Sequence, residues 1–215
     1  MAHKRIDSRF NGFAQEAFEF FEQLSAHNNR DWFHAHQEVY ERVCRDPMKQ
    51  LVAELGGNSA RTKISRINRD LRFSRDTLPY RTYIAAGVSG NYISVSPAGL
   101  YVGTGIYKPE PAALERFRSA IDNDQSGRLL QRIVTSLRRK HYQVDTHERV
   151  MSAPRGYAAD HPRIELLRMK GIFAGKTFAP ASWLSTRKAL QRIQQVINDV
   201  TPLADWLRVH VGARH

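Results

Sequence analysis

The strongest structural signal in this chain is Tyr92-Ile93-Ser94-Val95-Ser96-Pro97-Ala98-Gly99-Leu100-Tyr101-Val102-Gly103. Its first half alternates apolar and polar residues, which is the period of a strand with one buried face. Pro97-Ala98-Gly99 is typical of a turn, and apolar character returns after it. We therefore predict a β-hairpin around residues 91–104, and with it an antiparallel sheet in the middle of the chain.

Helical periodicity is found on both sides of this hairpin. Apolar residues recur at three- and four-residue steps from Phe13 to Leu24, which predicts a first helix. A second helix begins at Asp31. Pro47 either ends this second helix or begins a third, short one. After the hairpin we predict a helix beginning near Pro111, a helix over 129–137, a strand over 143–150, a helix over 163–170, and two C-terminal helices over 182–200 and 202–209. The chain is thus predicted to be one α+β domain, residues 1–215, with N- and C-terminal helices flanking a central antiparallel sheet.

The composition is typical of a globular protein, with 41% apolar and 25% charged residues. The longest apolar run is far shorter than the roughly 18 residues of a membrane-spanning helix, so no membrane partner is predicted. The N-terminus lacks the apolar core and cleavage site of a signal peptide, and a single cysteine, Cys44, excludes an internal disulfide. We therefore expect a cytoplasmic protein.

The densest charge of the chain lies just before the hairpin. Between Arg61 and Arg81 there are seven Lys or Arg residues and two Asp residues, a local charge of +5. Guanidinium groups must remain in water, pair with carboxylates or face an anion, because burying an unpaired charge costs several kcal/mol. Asp70 and Asp76 favour an internal network of Arg-carboxylate pairs, whereas the excess of cations favours an anion site. The sequence leaves both interpretations open.

The anion-site interpretation predicts a protein that binds a phosphate- or carboxylate-bearing small molecule. Hydroxyl groups of tyrosine would add hydrogen-bond donors. Gly103-Thr104-Gly105 offers bare backbone to a ligand, but the motif favours a strand bulge or tight bend over a ligand site. The predicted ligand-binding residues are Arg66, Arg69, Arg72, Arg75, Tyr80, Arg81, Gly103, Gly105 and Tyr107.

Two other functions remain as alternatives. The net charge of +12 and the pI of about 10.2 are typical of nucleic-acid-binding proteins, but 25 of the 33 basic residues are Arg, so compositional bias is a competing explanation. The other alternative is an enzyme acting on an anionic substrate, with Asp70, Asp76 or His161 as the proton carrier. His161 in Asp160-His161-Pro162 also suits a capping role at the helix that follows.

Several kinds of site are not indicated by any motif. The nine histidines form no His-Glu-x-x-His or Cys/His pattern, so we predict no metal. The chain has no phosphate loop, no dinucleotide fingerprint and no Gly-x-Ser-x-Gly, so no cofactor and no conventional hydrolase chemistry are predicted. No oligomeric state is predicted.

Motifs spread over nearly the full length of the chain carry a family resemblance. They are Asn28-Asn29-Arg30-Asp31-Trp32-Phe33 with Tyr40, Arg69-Asp70-Leu71-Arg72-Phe73-Ser74-Arg75-Asp76 with Pro79-Tyr80-Arg81, Gly103-Thr104-Gly105-Ile106-Tyr107 with Pro109, Arg155-Gly156-Tyr157 with Asp160-His161-Pro162, Glu165-Leu166-Leu167 with Lys170, and Pro202-Leu203-Ala204-Asp205-Trp206-Leu207. Through these motifs the chain resembles the uncharacterised bacterial and fungal proteins grouped as domain of unknown function 2461. Where the family usually has Lys-Thr before Pro-Tyr, this chain has Thr77-Leu78, so no lysine role is carried over to that position. The resemblance implies no activity.

Overall fold

The computed structural model describes residues 9–56, 62–70 and 78–212. The chain divides into two compact units, the first comprising Met1–Tyr101 and Thr177–Gln194 and the second Val102–Lys176 and Gln195–His215. A single domain over residues 1–215 stays a prediction.

An antiparallel sheet runs through the described part of the chain, with six strands in the order β1-β2-β3-β4-β6-β5. The predicted hairpin is confirmed as β3 and β4, and so is the α+β fold class with helices before and after the sheet. The strands are β1 (Lys63–Ile64), β2 (Ile84–Val88), β3 (Asn91–Ser96), β4 (Gly99–Ile106), β5 (Gln143–Asp145) and β6 (Ile172–Phe178). Strand β6 was not predicted, and β5 is shorter than the strand predicted over 143–150.

In the first unit, one face of β2 and β3 is buried, whereas the other is only partly covered: Ala85 on it is buried and Tyr92 is exposed. The pairs Ile84↔Val95 and Ala86↔Ile93 place apolar side chains on the buried face. Helices α1 (Gln15–Ala26) and α3 (Asp46–Glu54) pack against β3 and β2, respectively, and bury that face. The opposite face, which bears Tyr92 and Ser94, is called the outer face below.

The second helix of the first unit joins the third without a break. Helix α2 (Arg30–Tyr40) continues through a five-residue π-helical segment, Glu41–Arg45, into α3. Pro47 lies in the first turn of α3, where its missing N–H needs no partner. It therefore begins the third helix, which is one of the two outcomes that the sequence leaves open.

The second unit is built around α4 (Pro111–Asp122) and α5 (Asp124–Arg139), with the short α6 (Ile164–Leu167). Trp206 packs edge-on against Phe117 and donates its indole N–H to the Ser126 carbonyl at 2.9 Å. Both rings are buried and form part of the core of this unit.

The C-terminal prediction of two helices is wrong. After a 3-10 turn at Ser182–Ser185, a single helix α7 (Lys188–Val211) continues through Pro202. The break is absent because the buried residues Val196, Val200, Leu203 and Leu207 keep one helical face across the proline. Within the described residues, no helix combines the length and apolar character needed to cross a membrane.

Candidate functional site

The described part of the arginine segment is held by backbone pairing in the first unit. Asn68 and Tyr80 form an isolated antiparallel bridge. Around it, the Arg69 N–H donates to the Pro79 carbonyl at 2.9 Å and the Arg81 N–H donates to the Ile67 carbonyl at 2.8 Å. The structure thus brings Arg69 and Arg81 onto two adjacent antiparallel segments.

The side chain of Asn28 holds the Tyr80 end of this bridge. Its amide nitrogen donates to the Tyr80 carbonyl at 2.9 Å, and its amide oxygen accepts from the Tyr80 N–H at 3.0 Å. Tyr80 is only 4% exposed and its ring stacks on Phe33 at 4.2 Å between centroids. Tyr80 therefore packs in the core of the first unit, and its ligand-binding role stays a prediction. The neighbouring Asn29 caps α2 by accepting from the Trp32 N–H at 2.9 Å.

Arg81 has a tyrosine partner in place of a carboxylate. One terminal guanidinium nitrogen donates to the Tyr83 hydroxyl at 2.7 Å, and the guanidinium carbon lies 5.7 Å from the Tyr83 ring centroid. Its Nε is buried, and no described residue accepts a hydrogen bond from it. Among the residues that the structure describes, no carboxylate pairs with Arg81, whereas Arg42 and Arg187 in the same unit pair with glutamates.

The structure describes some of the other arginines of the segment but not all of them. Arg66 is exposed, and Arg69 and Asp70 each have an interaction partner. Arg72, Arg75 and Asp76 lie outside the described residues. The internal network and the anion site therefore both remain open for these three positions.

Tyrosines cluster on the outer face beside Arg81. The Tyr92 and Tyr101 rings lie 6.2 Å apart, and Tyr92 is 44% exposed. Burial raises the pKa of Tyr101 to about 12. Burial and nearby Tyr83 raise the pKa of Tyr92, against smaller opposing effects of Ser94 and Arg81. Both hydroxyls are therefore protonated donors near neutral pH.

No carboxylate occurs anywhere between Thr77 and Pro109 in the sequence. This interval contains Arg81, all of β2, β3 and β4, and the tyrosines of the outer face. A cationic ligand would find no charge partner along it, whereas an anion would. This absence was readable from the sequence and is a clearer signal than the arginine spacing.

Three of the predicted residues lie in the second unit. Gly105 has a φ of +150°, and a Cβ there would collide with the backbone at Ile172 and Phe173 on β6. Glycine at this position is thus required because the β6 backbone approaches it closely. A strand bulge or tight bend here stays a prediction. Gly103 is buried in β4, and Tyr107 is 61% exposed beside His147, with ring centroids 5.2 Å apart. The ligand-binding roles of these residues stay predictions.

His161, in the second unit, uses both of its ring nitrogens. Nδ1 accepts from the Arg163 N–H at 3.0 Å, which leaves the proton on Nε2, 3.2 Å from a carboxylate oxygen of Asp122. This is the geometry of a residue that fixes the turn before α6. The proton-carrier role of His161, like those of Asp70 and Asp76, stays a prediction.

Four residues on or beside the predicted site residues have no role that the sequence predicts: Asn28, Tyr83, Gly87 and His147. Asn28 belongs to a motif, but nothing local shows that its amide reaches a residue 52 positions away. Within the described residues, no group of three or more His, Cys, Asp or Glu side chains is placed to hold a metal ion.

Comparison with known proteins gives one family. A family model described as "Conserved hypothetical protein (DUF2461)" matches residues 16–206, nearly the whole chain. No curated protein and no solved structure gives a significant match. The match confirms the resemblance noted from the sequence.

Proposed function

Because the chain belongs to the DUF2461 family of conserved hypothetical proteins, whose description states no activity, we propose a function from the site alone: binding of an anionic small molecule in the first unit. The ligand carries a phosphate or carboxylate group. Arg81 is its central contact, Arg66 and Arg69 contribute positive charge, and Arg72 and Arg75 are further predicted members of the site.

The observation that carries this proposal is the hydrogen bonding of Arg81. A buried guanidinium N–H without a partner is costly, and a carboxylate is the partner that proteins ordinarily supply. Among the described residues a tyrosine hydroxyl takes that place, and a hydroxyl carries no compensating charge. A bound anion would supply the missing charge and would accept hydrogen bonds from the terminal nitrogens of the guanidinium.

The test is thermal unfolding of the full chain with phosphate, pyrophosphate or citrate, each compared with sodium chloride at equal ionic strength. We expect at least one anion to stabilise the wild-type protein, by about 2.7 kcal/mol at 100 times its dissociation constant. Arg81→Gln should lose most of this stabilisation, because it removes the charge and the forked donor group.

The matched control is Arg132→Gln, which removes the same charge from an exposed position of α5 in the second unit. It should keep the full stabilisation by the anion. If Arg81→Gln and Arg132→Gln respond equally to every anion, or if no anion stabilises the wild type, the proposal is wrong.

A further inference from the structure

Gly87 is the fourth of the five residues of β2, and nothing in the described structure requires a glycine there. Its backbone is in the ordinary strand region, because its φ is not among the positive ones. A Cβ built on it would meet no described atom within 4 Å. Glycine inside a strand lowers stability and often marks a place where another molecule approaches the backbone. As far as the described residues go, the space above Gly87 on the outer face is open, whereas Ala85, two residues earlier on that face, is buried.

The cross-strand neighbours of Gly87 form the sides of this open space. Gly87 pairs with Lys63 of β1 on one side and with Tyr92 of β3 on the other, and directly paired residues share a face of the sheet. An aromatic residue opposite a strand glycine commonly folds over it. Tyr92 does not, since its ring would then lie within 4 Å of the added Cβ, and it lies instead beside Tyr101.

The charged side chains around this space are cations, so they favour an anionic ligand. Lys63 is exposed on the same face, and Arg81 and Tyr83 lie close enough to Tyr92 to influence it electrostatically. The strands β2 and β3 contain no carboxylate. A flat aromatic ring fits over the exposed backbone of Gly87 beside the exposed Tyr92, because a ring can stack on a shallow surface and does not need a deep pocket. An attached anion would then meet the cations.

From this arrangement we infer that the ligand of the first unit is a nucleotide, with its base over Gly87 against Tyr92 and its phosphate toward Arg81 and Lys63. The inference rests on the proposed anion-binding function and adds the class of ligand. The proposed occupant of the site is a single small molecule. Binding of a longer nucleic acid is a competing outcome of the experiments below.

Isothermal titration of the full chain with AMP, ribose 5-phosphate and pyrophosphate separates the base from the phosphate. AMP should bind wild type about fivefold or more tightly than ribose 5-phosphate, the effect of stacking one base on an aromatic side chain. Tyr92→Phe should keep this preference, and Tyr92→Ala should lose it. Equal binding of AMP and ribose 5-phosphate to wild type would overturn the inference and leave the anion-binding function intact.

Gly87→Val supplies an independent test that does not threaten folding. A β-branched residue suits an open strand position, so the variant should be at least as stable as wild type. Its side chain fills the proposed base position, so AMP affinity should fall to that of ribose 5-phosphate while pyrophosphate affinity is unchanged. Gln143→Val, an exposed position of β5 in the second unit, is the control and should change neither affinity.

Three further outcomes have distinct meanings. An unchanged AMP preference in Gly87→Val would overturn the position of the base. Tight binding of a single-stranded 10-mer oligonucleotide together with no AMP preference would replace the nucleotide by a nucleic acid and overturn the inference. Failure of pyrophosphate, ribose 5-phosphate and AMP alike would refute the proposed function and this inference with it.

Discussion

At the scale of single residues, the amide of Asn28 substitutes for a neighbouring strand. It makes the two hydrogen bonds with the Tyr80 backbone that a paired strand residue would make. Asn28→Ala leaves a partly buried N–H and C=O without partners, which we expect to cost about 1–3 kcal/mol of unfolding free energy. Urea denaturation of the variant measures this directly.

The adjacent Asn29 gives a matched comparison for Asn28. Asn29→Ala removes only the N-cap of α2 and should cost about 1 kcal/mol. Because Asn28 holds the segment that leads into Arg81, Asn28→Ala should also weaken any stabilisation by anions, whereas Asn29→Ala should not. Equal losses of anion binding in the two variants would show that Asn28 has no special part in positioning Arg81.

At the scale of elements, the exposed Pro202 lies inside the continuous helix α7. The proline cannot donate a hydrogen bond to the carbonyl four residues earlier. The hydroxyl of Thr201, the residue just before it, donates to the Ile197 carbonyl at 2.8 Å. Pro202→Ala should therefore stabilise the protein, by up to about 3 kcal/mol. A higher melting temperature in calorimetry is the expected result, and a lower one would mean that the helix depends on the proline.

Elements were predictable where a local pattern determines them. The alternation over 92–96 and the turn at Pro97 predict the β3–β4 hairpin correctly, because one buried face imposes the period of two. The helix boundary predicted at Pro202 is wrong because tertiary burial of the α7 face outweighs the local cost of proline. Strand β6 shows no alternation, since its central residues Ala174 and Gly175 are both buried. Strand β2 could have been found from Ser89-Gly90, a turn with positive φ at both residues.

The candidate site was predictable only in part, for a related reason. Charge density along the chain indicates Arg66, Arg69 and Arg81, because charge is a property of the sequence itself. The roles of Gly87, Tyr83 and Asn28 depend on which strands pair and which loops meet. No local sequence pattern shows which strands pair or which loops meet. The roles of these residues can therefore be recognised only once the strand register and the tertiary contacts are known.

At the scale of the whole molecule, the net charge of +12 overstates the cation excess that is free to bind a partner. Several arginines bind backbone carbonyls and so serve the fold. Arg163 is buried and donates to the Ile121 and Asp122 carbonyls, and Arg116 donates to the Val211 carbonyl at 2.7 Å. A basic pI is therefore weak evidence for nucleic-acid binding in this protein. The arrangement of cations at a particular site is the stronger evidence for a ligand.

The acidic groups set how the molecule responds to pH, and Asp199 is the best shielded of those with a lowered pKa. Burial opposes the lowering, but hydrogen bonds from Lys140, Tyr142 and Gln195 outweigh it and hold the pKa of Asp199 below its ordinary value. A carboxylate with a lowered folded-state pKa stabilises the fold fully above its unfolded-state pKa of about 3.9, and this contribution is lost as the pH falls through the folded-state pKa.

Asp199→Asn should therefore destabilise the protein by about 1–3 kcal/mol near neutral pH, because it leaves the buried Tyr142 hydroxyl and Lys140 without their carboxylate. As the pH falls through the folded-state pKa of Asp199, the wild-type carboxylate is protonated as well, so the stabilities should converge. Urea midpoints measured across this range test the convergence. Asp205→Asn on the same helix removes an exposed carboxylate paired with Arg208 and should have little effect at any pH, since exposed ion pairs contribute little. A constant difference between wild type and Asp199→Asn at all pH values would mean that packing, rather than charge, makes Asp199 important.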